Sequence, residues 1–105
     1  MVDESARRSD APVLVLASLA AGAKHGYAIT QDIAEQMGIT LGPGTLYGII
    51  ARLEDRGLIR PLPSDDRRRP YELTAAGAEA LAERSRQLRK VADLGLTRLR
   101  TAGGA

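Results

Sequence analysis

From Gly42 to Ile59 the chain reads Gly-Pro-Gly-Thr-Leu-Tyr-Gly-Ile-Ile-Ala-Arg-Leu-Glu-Asp-Arg-Gly-Leu-Ile, one helix with its start, stop and buried side marked and its outer side nearly bare. Pro43 suits the first helical position, where its missing N–H would be unpaired anyway. Gly57 suits the left-handed residue just past the end. The helix is therefore expected from about Pro43 to Arg56. Leu46, Ile49, Ile50 and Leu53 recur at i, i+3, i+4 and i+7 and form one buried stripe. Opposite lie Gly44, Gly48, Ala51 and Asp55, with Thr45 and Arg52 on one flank and Tyr47 on the other. Two interior glycines cost roughly 0.8–1 kcal/mol each relative to alanine, so keeping both points to a backbone that must approach something closely. A DNA major groove meets that description.

At 105 residues, 44% hydrophobic and 27% charged, the chain has the size and composition of one globular domain. A domain this small leaves apolar surface on its outer helices, and a core shared with a second copy would cover it. There is no cysteine and a single histidine, His25, so disulfides and thiolate metal ligands are excluded, and no redox sensing, cofactor or metal is expected. No apolar run approaches the roughly 20 residues that span a bilayer, and the first ten residues lack the apolar segment of a signal peptide. The expected location is the cytoplasm, with no membrane contact. The net charge of +2 permits nucleic-acid binding without requiring it. Its distribution is more informative. Residues 1–40 are slightly acidic, while Arg67-Arg68-Arg69 is a compact basic cluster and Arg84, Arg86, Arg89, Lys90, Arg98 and Arg100 follow. Histidine paired with a nucleophile, a phosphate-binding loop and a carboxylate cluster are all missing, which argues against an enzyme.

Three segments emerge. Residues 1–9 are polar and read as a disordered arm, with packing onto a partner subunit as the other reading open to them. Residues 10–74 hold the helices and a hairpin. Asp10 is placed to cap a first helix with Pro12 near its start, apolar almost all round through Val13, Leu14, Leu16, Ala17, Leu19 and Ala20, and ending near Gly22. A second helix begins near Gly26, carries Ile29, Ile33 and Met37 on one side, and stops at Gly38. With the helix at Pro43 it forms a helix-turn-helix whose second member is the recognition helix. Leu58–Leu62 and Arg69–Leu73 read as short strands around the turn Pro63-Ser64-Asp65-Asp66, a hairpin with Arg67 and Arg68 near its tip. That is the wing of a winged helix. Residues 75–105 hold a last helix, capped by Thr74 and running from about Ala75 to Arg100, roughly 39 Å at about 1.5 Å per residue. Ala78, Leu81, Ser85, Leu88, Ala92, Leu96 and Leu99 share one side of it. Leu14, Leu81, Leu88, Ala92, Leu96 and Leu99 are the expected dimer contacts, the partner being a second copy in an antiparallel or crossed pair. Folding back on its own domain is the other way to cover that side. Gly95 is expected to bend or fray the end. The fold class is thus mainly α with a small β-hairpin: a winged helix-turn-helix plus a long dimerisation helix.

These pieces, in this order, resemble the PadR family of winged-helix transcriptional regulators. The likeness covers about Val13 to Leu81 and rests on Leu14 to Leu19, His25-Gly26-Tyr27, Gly42 to Tyr47, Arg52-Leu53-Glu54, Gly57-Leu58-Ile59, Arg69 with Tyr71, and Leu73-Thr74 with Gly77. The single last helix is similar to the small members of that family. The resemblance implies a homodimer that represses from a palindromic operator and is released by a small ligand or stress signal. Carried over by position, Tyr27, Thr45, Tyr47 and Arg67, Arg68 and Arg69 are its DNA contacts. The residues themselves add Gly44 and Gly48 as the close-approach face. Thr45 sits in the first helical turn, where a hydroxyl and free N–H groups meet a phosphate or base edge. Tyr47 has a second role open to it, wedged between helices with only its hydroxyl reaching DNA. Arg52 either contacts a phosphate or pairs with Glu54 or Asp55. His25 reads as a helix-start packing residue.

The resemblance extends to some small members of the family that sandwich flat hydrophobic molecules between aromatic side chains in a pore at the dimer interface. Here Trp and Phe are absent, and Tyr27, Tyr47 and Tyr71 all belong to the DNA-binding half. Any small-molecule effector would occupy an aliphatic pocket of the first and last helices. The alternative to a double-stranded DNA-binding homodimer is a winged-helix protein-interaction or adaptor module, which the modest charge would tolerate.

Overall fold

The computed structural model describes residues 10–65 and 67–104; the arm expected over residues 1–9 and the turn residue Asp66 lie outside them. Seven elements follow in order: α1 (Ala11–Ala20), β1 (Lys24–His25), α2 (Gly26–Met37), α3 (Pro43–Asp55), β2 (Ile59–Pro61), β3 (Pro70–Leu73) and α4 (Ala75–Gly104). The core is built where α1, α2 and α3 meet, from Val15, Leu16, Leu19, Ile29, Ile33, Leu46, Ile49, Ile50 and Leu53, closed by Leu41, Leu58 and Ile59.

α1 buries Ala11, Val15, Leu16, Ser18 and Leu19. Asp10 does not cap it with its side chain. Its backbone already has helical dihedrals, φ −91° and ψ −5°, whereas a capping carboxylate reaches the first amides from extended backbone. The Asp10 carboxylate instead lies 4.0 Å from the Arg84 guanidinium of α4. Ser18, the buried polar residue of this core, donates to Asp32 Oδ2 at 2.7 Å. Lys24 Nζ donates to the Ser18 carbonyl and stands 3.9 Å from Asp32, so one polar cluster joins α1, β1 and α2. Every buried group in it is partnered, which is what a low-dielectric site requires.

α2 starts at His25, whose extended backbone lets Nδ1 accept from the Ala28 amide at 3.3 Å, and ends at Gly38 with φ +67°. Ile29 and Ile33 are buried as their spacing demands, but Met37 is 56% exposed. It is the last helical residue, and at Gly38 the chain turns into the loop that delivers Leu41 to the core instead.

α3 has its sequence-predicted stripe buried. Gly57 adopts φ +72°, donating to the Glu54 carbonyl at 2.9 Å while Leu58 donates to Leu53 at 2.9 Å. These paired bonds, with Leu58 and Leu53 both buried, are a Schellman stop, which fixes where α3 ends and the hairpin begins.

The hairpin pairs Ile59 with Leu73, Arg60 with Glu72 and Pro61 with Tyr71. A third strand goes beyond the expected hairpin: β1 pairs antiparallel with β3, giving the order β1-β3-β2. Two residues are too few to show alternation, so nothing in the sequence marks them. Both prolines sit at strand ends, where a missing N–H breaks little of the ladder.

α4 is capped by Thr74, whose Oγ1 accepts from the Gly77 amide at 3.0 Å and donates to the Gly57 carbonyl at 2.6 Å. A Cβ at Gly77 would lie 2.0 Å from the Leu58 carbonyl oxygen, so the first turn of α4 rests directly on the exit of α3. The helix runs unbroken through Gly95 to Gly104, about 45 Å, longer than the expected end at Arg100 and without the expected interruption. Its residues from Ala82 to Gly103 are all exposed, and the molecule measures 61 × 26 × 20 Å.

Candidate nucleic-acid interface

On the outer side of α3, Gly44 and Thr45 are exposed and Gly48 is half-buried, and a Cβ built on either glycine meets nothing within 4 Å. Packing within the chain therefore does not require glycine at these positions, although helix propensity penalises it there. Arg52 is exposed and, among the described residues, makes neither of the ion pairs open to it with Glu54 and Asp55. Its guanidinium is available on the flank of the helix.

Beside α3 the wing closes a cleft of about 550 Å³ lined by His25, Gly26, Tyr27, Tyr47, Arg67, Arg68, Arg69 and Tyr71. Residues from four places in the sequence meet here: the start of α2, the middle of α3, the wing loop and β3. At Gly26 a Cβ would stand 2.6 Å from the Tyr47 hydroxyl and 3.0 Å from its Cζ, so any side chain there would push the Tyr47 ring aside. The Tyr47 phenol thus lies across the start of α2 while the residue remains 52% exposed, so wedging and outward exposure coexist. Tyr27 is exposed and its hydroxyl accepts from Gln31 Nε2 at 3.2 Å. Burial raises the Tyr71 pKa above the ordinary phenol value; the Glu54 carboxylate and Tyr47 push it the same way, and Arg69 pulls against them. At neutral pH its hydroxyl is a hydrogen-bond donor. The three arginines are exposed and carry no ion pair among the described residues. In the wing loop, Ser64 Oγ donates to the Arg68 carbonyl at 3.3 Å, and farther down Arg60 pairs with Glu72 across β2 and β3.

The cleft unites Tyr27, Tyr47, Arg67, Arg68 and Arg69 from the sequence-predicted set, with Gly44, Thr45, Gly48 and Arg52 on the adjoining helix. Tyr71 and His25 line it too, outside the predicted contacts. Strand alternation offers a signal for Tyr71, because residues 69 and 71 fall on the same side of an extended chain. His25 acts as the helix-start residue that its position suggests, and its Nδ1 is occupied by the Ala28 amide. Chemically the site presents three exposed cations, phenol hydroxyls and aromatic faces, a set suited to a phosphodiester backbone.

The expected dimer residues divide. Leu14 and Leu81 are half-buried against the chain's own core. Leu88, Ala92, Leu96 and Leu99 are exposed, as are Val91 and Leu94, which lie outside the predicted set. Val91 flanks the same stripe three residues after Leu88, whereas Leu94 falls on the other side of the helix. Among the described residues there is no group of three or more His, Cys, Asp or Glu placed to hold a metal ion, and no helix long and apolar enough to cross a membrane.

Comparison with known proteins identifies the family. Residues 15–83 match the model of the transcriptional regulator PadR-like family. A 37.1 kDa protein in a transposon of Streptomyces fradiae is 47% identical over 85 residues, which are 81% of this chain and 25% of that protein. A transcriptional regulator of Mycobacterium tuberculosis is 40% identical over 74 residues, 65% of each. The chain thus spans a quarter of the first relative and just under two thirds of the second. Among solved structures, a PadR family transcriptional regulator from Eggerthella lenta is 31% identical with a TM-score of 0.78, covering 90% of this chain and 85% of that one. A transcriptional regulator from Clostridium thermocellum shares the fold at a TM-score of 0.80 and 23% identity, covering 90% and 94%.

Proposed function

The chain belongs to the PadR-like family, whose members are transcriptional regulators and not enzymes, and on that premise we propose that it is a cytoplasmic homodimer that binds a (pseudo)palindromic operator and represses transcription until a small ligand or stress signal releases it. The observation that carries this reading is the convergence of three exposed arginines and three tyrosines on one cleft beside the neighbourless glycine face of α3. Residues 10–74 serve as the DNA-binding unit, and α4 as the dimerisation element.

Two steps of mechanism follow. The wing arginines neutralise backbone phosphates and release counterions, which holds the duplex and fixes its register. α3 then enters the major groove, its glycines allowing the backbone close to the base edges. Pairing of two α4 stripes would set two α3 helices on one side of the duplex, with half-sites about 34–36 Å apart centre to centre. Thr74 and Gly77 tie the first turn of α4 to the exit of α3. A change in how two α4 helices cross is therefore passed rigidly to the recognition helices, which is how an effector at the dimer would release DNA.

Selection of bound duplexes from random DNA tests the reading. The expected result is an enriched two-fold symmetric motif bound at physiological salt. No enriched motif, with binding lost at that salt, would favour the adaptor alternative.

A further inference from the structure

A second recess adjoins the arginine cleft and has the opposite character. It measures about 330 Å³, lies between α2 and the start of α3, and is lined by Tyr27, Thr30, Leu41, Pro43, Leu46 and Tyr47. Tyr27 and Tyr47 line both spaces, forming a ridge with cations on one side and apolar groups on the other. Thr30 Oγ1 donates to the Gly26 carbonyl at 3.2 Å and the Tyr27 hydroxyl accepts from Gln31, while Leu41, Pro43 and Leu46 give the recess its apolar lining. On the adjoining outer face of α3, Gly44, Gly48 and Ala51 have no side-chain group that could hydrogen-bond a base edge.

In the major groove each base pair presents donors and acceptors, and the apolar feature that distinguishes one base is the C5-methyl group of thymine. An apolar recess beside a phosphate site is complementary to that methyl. It also disfavours other bases, because donors and acceptors set against Leu41, Pro43 and Leu46 would be desolvated there without a partner. Resting on the DNA-binding reading above, we propose that the recess reads thymine C5-methyl groups, a backbone phosphate held in the arginine cleft setting the neighbouring base pair against it. Thr30 and Pro43 are then specificity-determining residues, and Tyr27 and Tyr47 position the strand between the two spaces.

The test uses a duplex selected from random DNA in which thymines are replaced one at a time by deoxyuridine, which lacks only the C5-methyl. Dissociation constants are measured for the wild type and for Thr30→Ser, which keeps the hydroxyl and removes a methyl, and Pro43→Ala. At one or two positions per half-site deoxyuridine should weaken wild-type binding about fourfold, the factor expected for burying one methylene-sized group. Both variants, with melting curves like the wild type's, should shrink that penalty. Equal binding of thymine and deoxyuridine duplexes overturns the inference while leaving DNA binding intact. A penalty that persists undiminished in both variants overturns the assignment to this recess. Failure to bind any duplex overturns the parent reading instead.

Discussion

In α3 the stripe Leu46, Ile49, Ile50 and Leu53 is sealed inside the chain, whereas in α4 a stripe of the same kind is half-sealed at Leu81 and then runs on exposed through Leu88, Leu96 and Leu99. Both stripes obey the same helical spacing. The difference lies in what stands opposite. α3 is covered by α1, α2 and the start of the wing; α4 leaves the globule after two turns and projects as a rod. An apolar stripe states that a helix will be covered but not by which molecule, and the rod's exposed leucines are the strongest physical reason to expect a second copy.

The sharpest way to break this contrast is Leu88→Asp, Leu96→Asp and Leu99→Asp together. Each leucine contributes about 1.5–3 kcal/mol when buried and would occur twice in a two-fold dimer, so the variant should be monomeric at micromolar concentration by light scattering, with the winged half still folded. An unchanged dimer would place the interface elsewhere. Next in size is Gly48→Glu. It adds a charge where a Cβ meets open space, so the fold and dimer should survive, while repulsion by phosphates and bases should weaken operator binding about a hundredfold or more. Normal footprinting by that variant would remove this face from the groove.

Smaller in effect is replacement of Arg67, Arg68 and Arg69 by alanine. Binding should weaken on all sequences alike, and the slope of log affinity against log salt should flatten by roughly 0.9 for each phosphate that an arginine no longer neutralises. An unchanged slope would leave the wing without a phosphate role. Smallest is Gly77→Ala, at the joint between the two regions. The added methyl meets the Leu58 carbonyl at 2.0 Å, and overpacking of this kind costs about 1–3 kcal/mol, read as a lower midpoint in urea. A midpoint equal to the wild type's would show that the joint is looser than its geometry implies.

Much of the fold is legible in the sequence because it rests on local rules. Pro43, Gly57 and the i, i+3, i+4, i+7 leucines and isoleucines set α3 without reference to the rest of the chain, and the Schellman bonds at Gly57 show why the stop is sharp. What escapes depends on distant partners. β1 exists only because β3 pairs with it, Asp10 faces Arg84 from a residue far along the chain, and Gly26 leaves the room in which the Tyr47 ring lies. Gly95 misleads for a different reason: a single glycine lowers helix propensity by about 1 kcal/mol, too little to interrupt a helix this long. The wing arginines and the tyrosines can be named one by one from sequence, but their meeting in one cleft is a property of the fold.

The most direct measurement is the mass, by light scattering, of the wild-type protein bound to a duplex selected from random DNA. Two chains per duplex, with protection over two half-sites one helical turn apart, is the predicted result. A single chain per duplex, or no duplex that binds at physiological salt, would contradict it.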